Sequence, residues 1–491
     1  MAPTATPRII PRSDHTVSRS HVSPNALRVL YKLRDAGFKA FLVGGCVRDL
    51  LLGIEPKDFD VATDALPEQV KRLFRNCRLV GRRFRLAHVF FGREIIEVAT
   101  FRAASAPSQG EEPLPDADPE DGEAAELDEP ELESLDRGAS GGVALERGET
   151  PEAEPDTDQN SERVMDETGR IIRDNVYGTI DADVWRRDFT CNALYYNIAD
   201  YSLWDYVGGK EDVAARKLTL IGDPETRFRE DPVRMLRAAR FEAKLDFEID
   251  PATAEPIARL GELLGDVPPA RLFDETLKLF LTGHGAKSFA VLRRRGLLAS
   301  LLPTVDAYIE SHPGSLVEKL LMDGLKNTDE RVMADKPVTP TFLFALLLYG
   351  PIAGIIEATP PERWHELGTI LDACDRATRE AQTNVAIPKR FTLGVREMFA
   401  LQPRLEHPRG RRALRALEHP RFRAAYDLLL LRAEFGLASS ETAKWWTKIQ
   451  SVPAEEQGLM ADSLTGQAPR AEASRRGGRR RRRRRRPSGA A

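Results

Sequence analysis

The segment LVGGCVRDLLLGIEPKDFDVAT, residues 42–63, is the stretch that decides the fold. It begins as a short buried strand that runs into Gly44 and Gly45, continues as a helix, and ends as the strand-like run DFDVAT. Strand periodicity places Asp58 and Asp60 on one face, roughly 7 Å apart at their Cα atoms. Two carboxylates there repel each other unless a cation neutralises them, and oxygen-only ligands favour a hard ion such as Mg²⁺. A solvated strand face, or Asp58 as a turn cap, is the alternative.

The Gly-Gly turn opens a helix whose first N–H groups have no partner within the helix. Such a turn approaches a phosphate closely, and the helix dipole favours the phosphate charge. An isolated glycine pair can also be only a tight turn. Because paired aspartates follow 13 and 15 residues after Gly45, we favour the phosphate-binding interpretation.

A two-metal site is usually completed by a third carboxylate, and the sequence offers two candidates. Glu97 lies mid-strand in IIEVATF, where an unpaired charge would be costly. Asp188 lies in WRRDFTCNALYY beside Arg186 and Arg187, which could neutralise an acidic site or a triphosphate. An aspartate just before a helix is also an ordinary N-cap. Spacing alone does not choose between the two acids.

The segment RFREDPVRMLRAARF contains a helix start and a row of arginines. Asp231 followed by Pro232 predicts a helix with Asp231 as its N-cap. Arg234, Arg237 and Arg240 then share a helix face, for which a solvated surface is the common explanation. An aspartate and an arginine one turn apart at a helix start could instead hydrogen-bond a base edge.

Three more arginines precede a strand in GRRFRLAHVFF, namely Arg82, Arg83 and Arg85. They could contact a nucleotide or an RNA backbone, or could simply be surface charge. His88 lies between apolar residues of the same segment, which favours a satisfied core histidine over a catalytic one.

Charge is distributed very unevenly along the 491 residues, although the net charge is only −4. Residues 111–162 hold 20 acidic residues against two arginines, and residues 466–491 hold 11 arginines against one glutamate. The acidic segment has too little apolar surface to offset the entropy of ordering, so we predict disorder there. The arginine tail indicates a polyanionic partner.

The four cysteines are widely scattered without a CxxC pair, which argues against structural zinc and disulfides and for a reducing compartment. The N-terminus has no apolar core and does not resemble a signal peptide. The longest apolar run, FLFALLLYGPIAGII, is short and broken by Gly350-Pro351, so we predict a buried helix rather than a membrane span. We therefore expect a cytoplasmic protein without a membrane partner.

Helical and strand patterns alternate over the first hundred residues, with a helix at 24–37, another after Asp64 and a hairpin at Gly92-Arg93. Beyond Pro224 the pattern is almost wholly helical. We predict an α+β fold in which a mixed-sheet head precedes an all-helical C-terminal region.

Taken together, LVGGCVRDLLLG…PKDFDVAT, RRDFTCNAL and EDPVRMLRAARF resemble the class II nucleotidyltransferases of the DNA polymerase β superfamily. That family holds bacterial poly(A) polymerases and tRNA CCA-adding enzymes. The segments CRLVGRRFRLAHV, PPARLFDETLKLF, AIPKR and EHPRFRAAYDLLLLRAE, with the basic tail, resemble the poly(A) polymerases more closely. Cys46 and Cys191 depart from the motifs, but both are small or apolar replacements.

The resemblance implies a polymerase β-like head and addition of AMP from ATP to RNA 3′ ends, in the service of RNA decay. Two Mg²⁺ ions would be held by Asp58 and Asp60, with Asp188 as the third catalytic acid and Glu97 as the less favoured one. The nucleotide would be bound by the following residues: Gly44, Gly45, Arg48, Arg187, Asp231, Arg234 and Arg237. RNA would be bound by the following residues: Arg82, Arg83, Arg85, Arg479, Arg480, Arg481 and Arg482.

The implied partners are RNA 3′ ends, ATP and proteins of RNA decay. The implied organisation is an extension (1–23), a head (24–215, with a disordered insertion at 103–163), a neck (216–300), a body (301–450) and a disordered tail (451–491). Two alternatives remain open, namely a tRNA CCA-adding enzyme and an RNA-binding relative that has lost catalysis.

Overall fold

The computed structural model describes residues 6–81, 85–102, 163–165, 171–174 and 177–464. The chain divides into two units. The first comprises Met1–Thr6, Ser23–Phe41 and Asp60–Arg186, and the second comprises Pro7–Val22, Leu42–Phe59 and Arg187–Ala491. The predicted disorder of residues 103–162 and of the arginine tail falls on residues outside the described ranges.

The strands within the described residues are β1 (Arg8–Ile10), β2 (Ala40–Val43), β3 (Asp60–Thr63), β4 (Cys77–Val80), β5 (Leu86–Phe91), β6 (Glu94–Thr100), β7 (Arg163–Met165), β8 (Ile171–Asp174), β9 (Leu194–Asn197), β10 (Leu203–Asp205), β11 (Lys217–Leu218) and β12 (Glu248–Ile249). The helices of the first 250 residues are α1 (Pro24–Asp35), α2 (Gly45–Leu51), α3 (Pro67–Leu73), α4 (Ile180–Arg186), α5 (Gly209–Ala215), α6 (Pro224–Glu230) and α7 (Val233–Leu245).

The later helices are α8 (Pro251–Leu260), α9 (Pro269–Phe280), α10 (Gly285–Arg294), α11 (Leu297–Leu301), α12 (Pro303–Ser311), α13 (Leu316–Met333), α14 (Pro340–Leu347), α15 (Tyr349–Glu357), α16 (Leu367–Ala381), α17 (Lys389–Glu406), α18 (Gly410–Leu417), α19 (Phe422–Glu434), α20 (Ser440–Ile449) and α21 (Ala454–Ser463). Among the described residues after Ile249, no strand occurs. The predicted α+β fold with a helical C-terminal region is confirmed.

The first unit contains a mixed sheet with the strand order β3-β6-β5-β4. β3 runs parallel to β6, whereas β5 pairs antiparallel with β6 and with β4. The hairpin predicted at Gly92-Arg93 joins β5 to β6, with Phe91 opposite Glu94. Alternating residues of these strands, such as Val89 and Val98, are buried in the core. β7 and β8 form a separate antiparallel pair.

The second unit contains the strands β1, β10 and β9 in that order, and then the helices from α5 onward. Part of the predicted N-terminal extension forms the strand β1, which pairs antiparallel with β10. In the helical region, one core cluster is built around Trp446, whose indole N–H donates to the carbonyl of Leu405 at 2.7 Å. Phe422 and Tyr426 of α19 pack in the same cluster.

Two predicted boundaries need correction. The tail was expected to be disordered from residue 451, but α21 is a helix whose Ala461 is buried and whose Met460 packs against the Trp446 cluster. Glu455 and Glu456 in its first turn complement the helix dipole, a signal already present in the sequence. Arg163, placed in the disordered insertion, is the first residue of β7.

The apolar run FLFALLLYGPIAGII forms two helices, α14 and α15, which are bent by 43° at their junction. Most of the side chains of α14 are buried, including Phe344 and Leu346. Within the described part of the chain, no single helix is long and apolar enough to cross a membrane, although this bent pair has the length and composition when taken together.

Candidate active site

The turn between β2 and α2 is formed by the glycine pair. Gly44 is the N-cap of α2 and has φ +81° and ψ −141°, a backbone conformation that residues with a side chain rarely adopt. α2 therefore begins at Gly45, the second residue of the predicted glycine turn, and its first N–H groups are not capped by a side chain. A Cβ atom at Gly45 would lie 3.3 Å from Nη2 of Arg48, so the lack of a side chain at Gly45 also leaves room for that guanidinium.

Arg48 lies one turn into α2 and is buried, with a side chain that is 3% exposed. Its Nη1 donates to Oδ1 of Asn192 at 2.6 Å, and its Nε and Nη2 donate to Oδ1 of Asp49 at 2.8 and 2.6 Å. The guanidinium also lies 5.7 Å from the ring centre of Phe241. These contacts hold Arg48 in one orientation beside the glycine turn.

Asn192 is a site residue that the sequence reasoning missed. It belongs to the 3-10 turn Thr190–Asn192, is buried, and receives the hydrogen bond from Arg48 across 144 residues of chain. Its position in RRDFTCN, four residues after Asp188, was the available signal.

Asp188 lies between α4 and the turn Thr190–Asn192, and its carboxylate is shared between two kinds of donor. Oδ1 accepts from the backbone N–H of Phe189 at 2.8 Å. Oδ2 accepts from Nε of Arg237 at 2.8 Å and from its Nη2. Burial acts to raise the pKa of Asp188, but the charge and hydrogen bonds of Arg237 prevail and lower this pKa to about 2. Asp188 therefore stays ionised at neutral pH.

This ion pair predicts a pH dependence of stability. The pKa of Asp188 in the folded chain lies below the ordinary value of 3.8, so its contribution is complete above about pH 4 and disappears as the pH falls towards 2. We expect the wild type to lose about 2 kcal/mol more stability over that interval than Arg237→Gln, which lacks the pair. Urea midpoints at a series of pH values measure the difference, and parallel curves for the two proteins would contradict it.

The arginines of α7 are buried or partly buried rather than fully solvated. Arg234 is 7% exposed and its Nη1 donates to the carbonyl of Arg227 at 2.7 Å. Arg237 forms an ion pair with Asp188, and Nε of Arg240 lies 3.7 Å from Oε2 of Glu275. The solvated-surface explanation of this arginine row is therefore wrong. Each guanidinium is held by an acid or a carbonyl group.

Asp231 has a different local role from the one predicted. It is the C-cap of α6, and Pro232 is the N-cap of α7, so the predicted cap is displaced by one residue. The Asp231 side chain instead accepts two hydrogen bonds from Arg271 of α9, at 2.7 Å each. This bidentate pair fixes the carboxylate at the junction of two helices.

Arg187 is positioned by Tyr195 of β9. Its Nε donates to the tyrosine hydroxyl at 2.7 Å, and its guanidinium lies 5.1 Å from the ring centre. The backbone carbonyl of Arg187 accepts from Nη2 of Arg227 at 2.7 Å. The second unit thus brings Arg48, Arg187, Asp188 and the arginines of α7 into linked contacts around the start of the RRD motif.

In the first unit, Asp60 is the first residue of β3 and stands in register with Glu97 of the parallel strand β6. Neighbouring strands lie about 4.8 Å apart, so the two side chains project side by side from one face. Glu97 also faces His88 of β5, whose Nε2 is 3.5 Å from its Oε1. His88 is partly exposed on this sheet face, and the prediction of a core histidine is wrong.

Asp58 is exposed and precedes β3, whereas Phe59 between the two aspartates is buried. The predicted alternation is therefore present, although the strand itself begins only at Asp60. Among the described residues, no three histidine, cysteine, aspartate or glutamate side chains are already grouped around one point as a metal ion requires. The donor chemistry of Asp58, Asp60 and Glu97, all oxygen, fits a hard divalent cation.

Of the arginines predicted to bind RNA, Arg85 is exposed and forms an ion pair with Glu68 at 3.2 Å. Its carbonyl accepts from Nη2 of Arg102 at 3.1 Å. The other predicted positions, Arg82, Arg83 and Arg479 to Arg482, lie outside the described residues.

Three family models match the chain. The model described as "Poly A polymerase head domain" matches residues 40–130 and 135–219, "Probable RNA and SrmB- binding site of polymerase A" matches 246–309, and "Polymerase A arginine-rich C-terminus" matches 362–487.

Among similar proteins, Poly(A) polymerase I of Salmonella typhi is 44% identical over 473 residues, which cover 95% of this chain and 91% of the relative. A CCA-adding enzyme of Lactobacillus helveticus is 30% identical over 268 residues, covering 54% of this chain and 52% of the relative. Among solved structures, the Thermotoga maritima CCA-adding enzyme complexed with tRNA has a TM-score of 0.52 at 18% identity, covering 94% of this chain and 97% of that one. The last match supports the fold alone.

Proposed function

The chain belongs to the bacterial poly(A) polymerase I family, and from that premise we propose that it adds AMP from ATP to the 3′ ends of RNA without a template. The observation that carries the proposal is the extent of the similarity. It covers 95% of the chain for a poly(A) polymerase, including the helical C-terminal region, but 54% for a CCA-adding enzyme.

As a nucleotidyltransferase, the protein takes a nucleotide substrate and a divalent metal. We propose that the metal is a pair of Mg²⁺ ions held through Asp58 and Asp60, whose spacing and oxygen donors fit such ions. When bound, the ions lower the pKa of the attacking 3′-hydroxyl and neutralise charge on the triphosphate. For the third acid we keep Asp188 from the RRD motif, with Glu97 as the alternative because it stands in register with Asp60.

The remaining residues orient the nucleotide in this proposal. Gly44 and Gly45 expose backbone N–H groups to the triphosphate, and Arg48 adds a positive charge fixed by Asn192. Arg187, stacked on Tyr195, supplies a second positive charge. Such groups contribute to catalysis mainly by stabilising charge in the transition state. They do so efficiently because they are positioned before the reaction and need no reorganisation during it.

Base selection is proposed for Asp231 and Arg234, with Arg237 beside them. Asp231 offers a carboxylate that can accept from an exocyclic amino group, and Arg271 holds that carboxylate in place. Arg234 is held by Glu230 at 3.2 Å. Both side chains are held by partners within the protein, which supports a base-binding site with a fixed arrangement.

We propose that RNA is held by the helical region, by Arg82, Arg83 and Arg85, and by the arginine tail including Arg479, Arg480, Arg481 and Arg482. The division into extension, head, neck, body and tail is kept as a proposal, with the body extended to include α21. Partners among RNA-decay proteins and a cytoplasmic location are also proposed, the latter on the four widely scattered cysteines without a CxxC pair.

The test is incubation of the purified protein with Mg²⁺, a generic RNA and each nucleoside triphosphate in turn. We expect long tails with ATP alone, because the proposed base-binding residues are fixed in one arrangement. Growth that stops after C, C and A, and only on tRNA lacking that end, would establish CCA addition instead. RNA binding without any nucleotide transfer would identify a relative that has lost catalysis.

A further inference from the structure

Helix α18 presents four arginines that the proposed function does not name individually. Arg409 is the N-cap residue of the helix, and Arg411, Arg412 and Arg415 lie within it. All four are exposed, and we call them the arginine face. They lie outside residues 246–309, the region matched by the family model whose description mentions RNA, and inside residues 362–487, matched by the model described as "Polymerase A arginine-rich C-terminus".

The opposite side of α18 is anchored in the core of the second unit. Gly410, Ala413 and Ala416 are buried, and Leu414 and Leu417 pack against the cluster built around Trp446. Helical periodicity puts Arg411, Arg412 and Arg415 on the side away from these residues. The packing of the buried side of α18 therefore fixes the direction in which the arginines project.

Two features of this arrangement work against the stability of α18, although Arg415 lies in the last turn, where the helix dipole favours a positive charge. Arg411 and Arg415 are four residues apart, and like charges at that spacing repel on a helix. Arg411 and Arg412 lie in the first turn, where the helix dipole disfavours positive charge, and no acidic residue accompanies them there. A neutral or acidic first turn would fold better, so the charges point to a partner outside the chain.

Within the described part of the chain, no ion pair or side-chain hydrogen bond engages any guanidinium of the arginine face. Nearby arginines of similar exposure differ in this respect. Arg421 forms an ion pair with Glu397 at 3.3 Å, and Arg423 forms one with Asp427 at 3.0 Å. The arginine face is thus a group of positive charges that have no ion-paired partner among the described residues.

We propose that the arginine face binds the phosphate backbone of the RNA substrate, independently of base sequence. This inference rests on the proposed function, which makes RNA the polyanion that the chain must hold. Exposed arginines on a fixed helix suit successive phosphates, because each guanidinium offers paired N–H donors to phosphate oxygens. An anionic membrane is disfavoured, since the apolar side of α18 is buried in the protein and cannot insert into lipid.

The test compares the full chain with the triple variant Arg411→Gln/Arg412→Gln/Arg415→Gln. The affinity for a fluorescently labelled single-stranded RNA is measured by anisotropy over a range of salt concentrations. Losing three phosphate contacts should make the fall of log affinity with log salt less steep by about 2. Binding should weaken on the order of tenfold at low salt. The KM for RNA should rise accordingly, with the KM for ATP changing far less.

A control, Arg363→Gln/Arg376→Gln/Arg379→Gln, removes the same number of charges from exposed positions at and before α16 on the same unit, where Arg363 is ion-paired with Glu366 at 3.1 Å. It should bind RNA as the wild type does. If both triple variants lose affinity equally, only net charge matters and the inference is overturned. It is also overturned if the α18 variant keeps its RNA affinity and salt slope, as it would if the face bound an acidic protein instead.

Thermal unfolding separates binding from folding, because relief of repulsion should leave the Tm of the α18 variant unchanged or higher. A lower Tm with unchanged salt slope would assign the arginines a structural role. The proposed function is judged separately, by AMP incorporation in the wild type. If the wild type binds RNA through this face but transfers no AMP, the proposed function is contradicted, whereas the inference that the arginine face binds RNA still holds.

Discussion

Replacing Asp60 with alanine is expected to abolish tail synthesis while RNA binding is retained. We expect the rate to fall by about a thousandfold or more, because several kcal/mol of charge stabilisation in the transition state depend on the metal-binding carboxylates. Asp60→Asn should be equally inactive, since the amide keeps the shape of the side chain but lacks its charge. Single-turnover AMP incorporation measures the rate, and anisotropy measures RNA binding.

Asp64→Asn is the matched control for this substitution. Asp64 follows the same strand, and its carboxylate accepts from the backbone N–H of Lys39 at 2.8 Å, away from the predicted metal ligands. This variant should retain activity within a few-fold of the wild type. Measurable tail synthesis by pure Asp60→Ala, with an unchanged Tm, would show that the paired aspartates are not the catalytic ligands.

The second large effect concerns the third acid. We expect Asp188→Ala to be inactive and Glu97→Ala to retain activity, following the RRD motif. Glu97 is half exposed and its contact with His88 is a surface pair, worth at most about 1 kcal/mol. Inactivity of Glu97→Ala would therefore reflect loss of a catalytic carboxylate rather than unfolding of the protein. If only that variant is inactive, Glu97 is the third acid.

Interpretation of Asp188→Ala requires a stability control, because the substitution leaves Arg237 without its partner. Removing one member of a buried pair is destabilising, here by about 1–3 kcal/mol since Arg237 is a third exposed. Arg237→Gln breaks the same ion pair but keeps the carboxylate. If Asp188 acts in catalysis, Arg237→Gln should be markedly more active than Asp188→Asn. Equal losses in both variants, with an unchanged KM for ATP, would assign the pair a structural role.

Local structure was largely predictable from the sequence. The glycine turn, α2, and the hairpin of β5 and β6 follow from hydrophobic periodicity and from glycines at the turns, and the structure confirms them. The alternating exposure of Asp58, Phe59 and Asp60 was equally predictable, because period-two patterning is a local property of extended backbone. Errors occurred at element ends, as at Asp231 and at the start of the tail.

Side-chain partners could not be predicted, because they join residues that are remote along the chain. The order of the motifs, the paired aspartates and the charged appendages could be read from the sequence, since these depend on residue type and spacing. The contacts of Arg48 with Asn192 and of Arg237 with Asp188 arise from folding, because they join residues 144 and 49 positions apart. Folding also turned the arginines of α7 inward and those of α18 outward. Both rows look alike as sequence, and only the packing of neighbouring helices decides which face is buried.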